Sequence, residues 1–139
     1  MRCVRRWFAL AVTVLVLAAC SSSKDFDLAQ AEVVHFRELM AAQEFEKIYS
    51  EGSDELKKTT TVQNMVRLLG AIDRKLGAVK KATGNGWNVN YTPSGTSVTL
   101  KFKTEFEKGK GDETFVYRFA GGKALLAGYH INSEDLIAN

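Results

Sequence analysis

The folded part of the chain begins with a helical pattern of apolar residues. From Asp25 onward, apolar side chains recur every three or four positions, at Ala29, Val33, Phe36 and Met40. This spacing places them on one face of an α-helix, and an aspartate at the start can cap the first turn. The pattern predicts an amphipathic helix that packs this face against the rest of the domain.

Two short helical segments follow. Phe45, Ile48 and Tyr49 have helical spacing and predict a short helix that ends near Gly52. Residues 53–58 predict a further helical turn before a run of three threonines. The β-branched side chains of this run suit the start of a helix better than its interior.

The clearest helix starts in the threonine run and ends at Gly77. Thr60 and Gln63 have the form of a capping box at its start. Its apolar stripe is Val62, Val66, Leu69, Ile72 and Leu76. Gly70 lies inside this helix at a cost of up to about 1 kcal/mol relative to Ala, which predicts that another element packs closely against it.

After this helix the apolar period changes to two, which is typical of β-strands. The pattern predicts strands over residues 78–83 and 87–92, separated by a turn at 84–86 and followed by a turn at 93–95. The strongest alternation comes next. Its apolar face consists of Val98, Leu100, Phe102, Thr104 and Phe106.

The C-terminal part continues the strand pattern. A flexible polar loop is predicted at 108–112, followed by a strand in which Phe115, Tyr117 and Phe119 alternate with other residues. Gly121-Gly122 predicts a tight hairpin turn, because a type I′ turn needs positive φ at both central positions. A last strand over residues 124–132 and a helical turn at 133–136 complete the chain.

Helices followed by consecutive antiparallel strands predict an α+β fold, with the helices packed on one face of a curved sheet. We expect residues 26–139 to form a single domain. About 115 residues are enough to build one hydrophobic core without disulfide bonds.

The N-terminus has the layout of a secretory signal. Basic residues begin it, an apolar run from Trp7 to Leu17 follows, and small residues end it. The run is shorter than the roughly 20 residues that span a bilayer. Leu17-Ala18-Ala19-Cys20 resembles the lipobox of bacterial lipoproteins. The resemblance implies removal of residues 1–19 by cleavage between Ala19 and Cys20, and a lipid anchor on the Cys20 thiol.

The signal also changes how the charge and the cysteines are interpreted. The chain has 19 Lys and Arg against 16 Asp and Glu, but three arginines lie in the signal, which leaves 16 against 16. A balanced mature chain gives no reason to expect a nucleic-acid partner. Cys3 leaves with the signal, so lipidation of Cys20 leaves no thiol for a disulfide. Residues 20–25 are expected to form a short tether.

Several positions in the domain carry a resemblance to known proteins. They are Phe36, Phe45, Tyr49, Leu76-Gly77, Phe102, Phe106, Glu113 and Gly128-Tyr129-His130-Ile131-Asn132-Ser133. In these positions residues 26–137 resemble a group of uncharacterised bacterial exported proteins whose fold is similar to nuclear transport factor 2. The resemblance implies a cone, in which helices pack into the concavity of a bent antiparallel sheet.

Candidate chemistry in the sequence is sparse. His35 and His130 have neither the spacing nor the neighbours of a metal site, and no cofactor motif is present. Catalysis in a cone-shaped pocket would need a carboxylate with a raised pKa facing a donor. The candidates for such a pair are Tyr49, Tyr117, Tyr129 and Asp73.

The predicted sheet is rich in aromatic residues, which either fill the core or line an apolar ligand pocket. The residues that we expect to line such a pocket are Tyr49, Trp87, Tyr91, Phe102, Tyr117 and Tyr129.

The resemblance to bacterial lipoproteins implies a lipid-anchored protein, and Ser21 after the lipobox cysteine favours the periplasmic face of the outer membrane, as in the lipoproteins that it resembles. We expect the domain to be non-enzymatic. The domain would bind a small apolar ligand or an envelope protein. An inhibitor or immunity protein is the alternative, and an isomerase-like or hydrolase-like enzyme is a third hypothesis.

Overall fold

The structure is a computed structural model that describes residues 15–138, with side chains described from Ser23 onward. Residues 1–14 of the predicted signal peptide and the side chains of Ala19 and Cys20 lie outside this part. The elements are α1 (Leu15–Ala41), α2 (Phe45–Ser50), α3 (Asp54–Thr59), α4 (Val62–Leu76), β1 (Val79–Thr92), β2 (Gly95–Phe106), β3 (Gly109–Ala120), β4 (Lys123–Asn132) and α5 (Glu134–Ala138). Within residues 15–138, no helix combines the length and apolarity needed to cross a membrane.

Helix α1 forms where the pattern predicts a helix, but it begins earlier. It starts at Leu15 rather than at Asp25, so residues 20–25, predicted as a tether, are helical instead. No glycine or proline interrupts the chain from Leu15 to Ala41, and Leu and Ala favour the helix. The buried face of α1 consists of Ala29, Val33, Phe36 and Leu39. Met40 is only partly buried.

Helix α4 follows the predicted pattern with two corrections. Thr61, rather than Thr60, caps it by accepting a hydrogen bond from the Asn64 amide, because Thr60 already terminates α3. Val62 and Val66 are only partly covered. The buried residues of α4 are Met65, Leu69, Gly70, Ile72 and Leu76.

The glycines at two helix contacts differ in how tightly they are packed. A Cβ atom at Gly70 would lie 3.1 Å from the Arg74 side chain of the same helix and 3.8 Å from the Phe45 ring of α2, which is an ordinary contact distance, so the structure does not bear out the close packing of another element predicted there. Gly52 precedes α3, and a Cβ atom there would clash with Leu56. The next amide, that of Ser53, donates a hydrogen bond of 2.9 Å to the Leu126 carbonyl and joins the start of α3 to β4.

The strands form one antiparallel sheet in the order β1-β2-β3-β4. The turn predicted at 84–86 is wrong, because β1 continues through these residues and pairs with β2 on both sides of them. Gly84 lies opposite Phe102 and Trp87 lies opposite Leu100, so β1 carries one extra residue here. This β-bulge explains why glycines occur inside a strand.

Strand β1 lies at the edge of the sheet. Among the described residues, no strand pairs with its outer side. Its register is also irregular between Val79 and Lys81. Most of its residues are exposed, in contrast to the alternating burial of β2 and β3.

The polar loop predicted at 108–112 is much shorter in the structure. Only Glu107 and Lys108 form the turn, and β3 begins at Gly109 opposite Phe106. A Cβ atom at Gly109 would lie 2.6 Å from the Cβ atom of Asp135. The glycine therefore lets α5 pack against the start of β3, which an exposed loop would not need.

The other two hairpin turns are confirmed. Residues 93–94 join β1 to β2, and Gly121-Gly122 joins β3 to β4 with φ values of 58° and 76°. The helices on the N-terminal side pack against the curved, open sheet, so the α+β fold is confirmed. It is consistent with a nuclear transport factor 2-like fold.

Candidate functional site

An apolar groove of about 580 Å³ lies between α1, the end of α2 and β4. We call it the α1–β4 groove. It is lined by Leu28, Ala31, Glu32, His35, Phe36, Leu39, Ile48, Glu51, Tyr117, Gly122, Lys123, Ala124, Leu125 and Leu126. Its apolar residues come from the amphipathic face of α1 and from the inward positions of β4. A groove of this size suits a small apolar molecule.

Tyr117 is the buried polar residue of this groove. Its side chain is 2% exposed, and its hydroxyl is the one buried side-chain polar atom among the described residues that has no hydrogen-bond partner. Leaving a buried donor unsatisfied costs about 1–3 kcal/mol. Burial, and then the negative charge of Glu32, raise the pKa of the Tyr117 phenol well above its usual value. The hydroxyl therefore keeps its proton and remains a donor.

The rim of the groove is polar. His35 on α1 forms a hydrogen bond of 2.7 Å with Glu51, through Nε2 and Oε2. Both side chains are about two-fifths exposed, so this contact contributes little to stability. Glu32 and Lys123 complete the rim. An apolar interior with one buried donor and a charged, wet entrance is an arrangement typical of ligand-binding pockets.

A second polar feature lies deeper, between α1 and the sheet. Glu113 of β3 is 2% exposed, and three donors satisfy its carboxylate. Arg37 donates to Oε2 at 2.8 Å and Thr104 donates to the same oxygen at 2.5 Å. Tyr129 donates to Oε1 at 2.8 Å. We call these four residues the Glu113 cluster.

Aromatic rings surround the Glu113 cluster. The Arg37 guanidinium lies 5.7 Å from the centre of the Phe102 ring and 5.5 Å from that of Phe115, which adds cation–π attraction to the ion pair. Burial, and then the Glu113 charge, raise the pKa of Tyr129 well above its usual value. The cluster thus attaches α1 to β2, β3 and β4.

The Glu113 cluster has the composition of an acid–base site but not its accessibility. A general base must come within about 2.6–3.2 Å of the proton that it removes. Both carboxylate oxygens already accept internal hydrogen bonds, and Glu113 lines none of the described grooves. This arrangement supports a structural role, because the three donors compensate the buried charge.

The structure brings only part of the predicted pocket together. Tyr117 lines the α1–β4 groove, whereas Phe102 and Tyr129 lie at the Glu113 cluster. Tyr49 is partly buried, and its hydroxyl donates to the Thr60 carbonyl at 3.2 Å. It therefore serves a helix connection rather than the groove.

Trp87 and Tyr91 do not line the groove either. Both residues lie on the edge strand β1, where they are 56% and 58% exposed. The groove lies along β4, at the opposite edge of the sheet, and is therefore out of their reach. Two other predicted candidates are also remote from it. Asp73 accepts a hydrogen bond from Gln43, and His130 is exposed on β4.

Sequence reasoning missed residues whose importance depends on tertiary contacts. Arg37 falls outside the apolar stripe of α1, and nothing local indicates its partner. Glu113 could have been found, because it has the same strand phase as Phe115 and Tyr117 and therefore faces inward. Glu51 meets His35 only because α2 folds back beside α1.

No group of three or more His, Cys, Asp and Glu side chains in the described part of the chain is arranged to hold a metal ion. No protein-family model matches the chain, and a search of curated proteins returns no match. The function must therefore be inferred from the geometry of the site.

Proposed function

We propose that the chain is a lipoprotein anchored through Cys20 to the periplasmic face of the outer membrane, and that its domain binds a small apolar ligand without transforming it. The ligand would occupy the α1–β4 groove. Its apolar body would contact Phe36, Leu39 and Leu126, and an acceptor atom would receive the hydrogen bond of Tyr117.

The unpartnered hydroxyl of Tyr117 carries this proposal. A purely structural residue at this position could be Phe, which would bury the same ring without an unsatisfied donor. A ligand carbonyl, ether or hydroxyl would satisfy the donor and recover the desolvation cost. The preferred ligand is therefore an apolar molecule with at least one oxygen acceptor, on the order of a few hundred daltons for a groove of this size.

Native mass spectrometry tests the proposal on the domain exported from the producing cell with a plain secretory signal. We expect a retained mass that is lost on unfolding. Ala31 is exposed on α1 and lines the groove, so Ala31→Trp should fill the groove and remove the retained mass. Ala41→Trp is the matched control, because Ala41 is exposed on the same helix but lines none of the described grooves.

Two results would contradict the proposal. Equal retention by both tryptophan variants would place the ligand elsewhere. Copurification of a second protein with the domain, without a small ligand, would instead favour the inhibitor or immunity hypothesis.

A further inference from the structure

The hairpin formed by β1 and β2 carries exposed aromatic residues. Trp87, Val89 and Tyr91 share one face of β1, since they alternate along the strand. This face continues the core side of the sheet, because Trp87 lies opposite the buried Leu100. Phe26 of α1 covers part of it, with its ring centre 4.9 Å from that of Trp87.

The part of this hairpin around its turn contains no charged residue. Residues 82–100 include no Asp, Glu, Lys, Arg or His, although charged residues make up 25% of the chain. A surface hairpin in contact only with water has no reason to exclude charge. A hairpin that enters a less polar environment does, because a charge placed there without a partner is costly.

Helix α1 and strand β1 show which end of the domain this hairpin occupies. Arg37 lies over Phe102, which pairs with Gly84. Phe26, nearer the N-terminus of α1, contacts Trp87, farther along β1. The N-terminal part of α1 and the C-terminal part of β1 therefore lie at the same end of the domain.

Cys20, which would carry the lipid in the proposed function, lies at that end of the domain. Cys20 precedes Phe26 by six residues in α1, which is about 9 Å along the helix axis. Tyr91 follows Trp87 by four residues in β1, which is about 13 Å along the strand. The turn at 93–94 and the N-terminal part of α1 thus extend from the domain in the same direction.

We propose that the β1–β2 hairpin docks on the lipid surface that holds the anchor, with Trp87 and Tyr91 in the headgroup layer. Both side chains combine an apolar ring with a polar tip and favour the membrane–water interface. The contact supplies a second membrane attachment beside the acyl chains and fixes the orientation of the domain. This docking proposal depends on the lipid anchor of the proposed function, but not on the proposed ligand.

Fluorescence quenching by brominated lipid tests the docking. Trp7 leaves with the signal, so Trp87 is the only tryptophan of the mature chain. The lipidated protein is reconstituted in vesicles of phosphatidylethanolamine and phosphatidylglycerol, with plain or brominated acyl chains, and vesicle attachment is measured by flotation. We expect brominated lipid to reduce the emission of Trp87 about twofold, as for an indole at the interface.

The matched control moves the tryptophan to the opposite end of the domain. Ile137 is 85% exposed on α5, which packs at the start of β3, away from the hairpin turn. The double variant Trp87→Phe, Ile137→Trp should attach equally and show no quenching.

Two results would overturn the docking. Attached wild-type protein with unquenched Trp87 would refute the docking alone. Protein that fails to float with the vesicles would refute the anchor, and the docking with it.

Discussion

Replacing Tyr117 by Phe should make the ligand-free domain more stable. The substitution removes one oxygen atom from a side chain that is 2% exposed and leaves the ring in place. Since no described group accepts a hydrogen bond from this hydroxyl, no interaction is lost. Removing an unsatisfied donor recovers part of a cost of about 1–3 kcal/mol. We expect the free energy of unfolding to rise by about 1 kcal/mol, or the melting temperature by about 4 °C.

Tyr129→Phe is the matched control. It removes the same atom from a second, partly buried tyrosine, and this hydroxyl donates to Glu113 at 2.8 Å. A hydrogen bond to a charged group contributes about 1.5–3 kcal/mol, so this variant should lose about 2 kcal/mol. Urea unfolding of ligand-free protein measures both changes, and an unchanged m value would show that the midpoints report stability.

Whether Tyr117→Phe raises or lowers the free energy of unfolding decides whether the Tyr117 hydroxyl has a partner in the empty domain. If Tyr117→Phe destabilises the domain as much as Tyr129→Phe does, the Tyr117 hydroxyl has a partner in solution, and the main support for the ligand site disappears. If the variant gains stability but loses its retained ligand, the hydroxyl serves binding at the expense of the empty fold.

Three further predictions concern the cluster, the tyrosines and the anchor. Arg37→Leu should lower the free energy of unfolding by about 3 kcal/mol, because it leaves the buried Glu113 without its cation; a loss below about 1 kcal/mol in urea unfolding would contradict this. Above pH 10, unfolded tyrosines lose protons that Tyr117 and Tyr129 keep in the folded state, since burial raises both pKa values. The stability that is fully present below pH 10 should therefore fall by about 2.7 kcal/mol per pH unit. In Tyr117→Phe this slope should halve, whereas an equal slope would show that Tyr117 ionises freely. Cys20→Ser should abolish incorporation of radiolabelled lipid and leave uncleaved precursor, and normal membrane attachment of this variant would refute the lipoprotein interpretation.

The fold could be predicted from the sequence because its signals are local. The residues that face the core recur with the period of the element that carries them. In α4 this gives the helical spacing of Leu69, Ile72 and Leu76, and in β2 it gives the alternation of apolar and polar residues. The errors within the strands concern glycines. Gly84 and Gly86 were interpreted as a turn, yet a glycine pair in a strand also suits a bulge, and only the pairing with β2 distinguishes the two.

The site was less predictable, because it is formed by contacts between distant segments. An aromatic residue on a strand was expected to line a pocket, but strand phase gives the face of the sheet and not the position along it. Trp87 and Tyr117 both face the core side, and only the path of α1 determines that the first is exposed and the second covered. The charge-free run around Trp87 was visible in the sequence, but its meaning depended on its position beside α1.

The edge strand β1 also affects how copies of the protein behave toward one another. Proteins confined to a membrane surface meet their neighbours at high local concentration, and an unpaired strand edge can template pairing between chains. The two irregularities in β1 interrupt its row of free backbone groups, while Lys80 and Lys81 place like charges where two such edges would meet. If the domain is anchored as proposed, these features should keep neighbouring copies from joining their sheets, so crowding need not lead to aggregation.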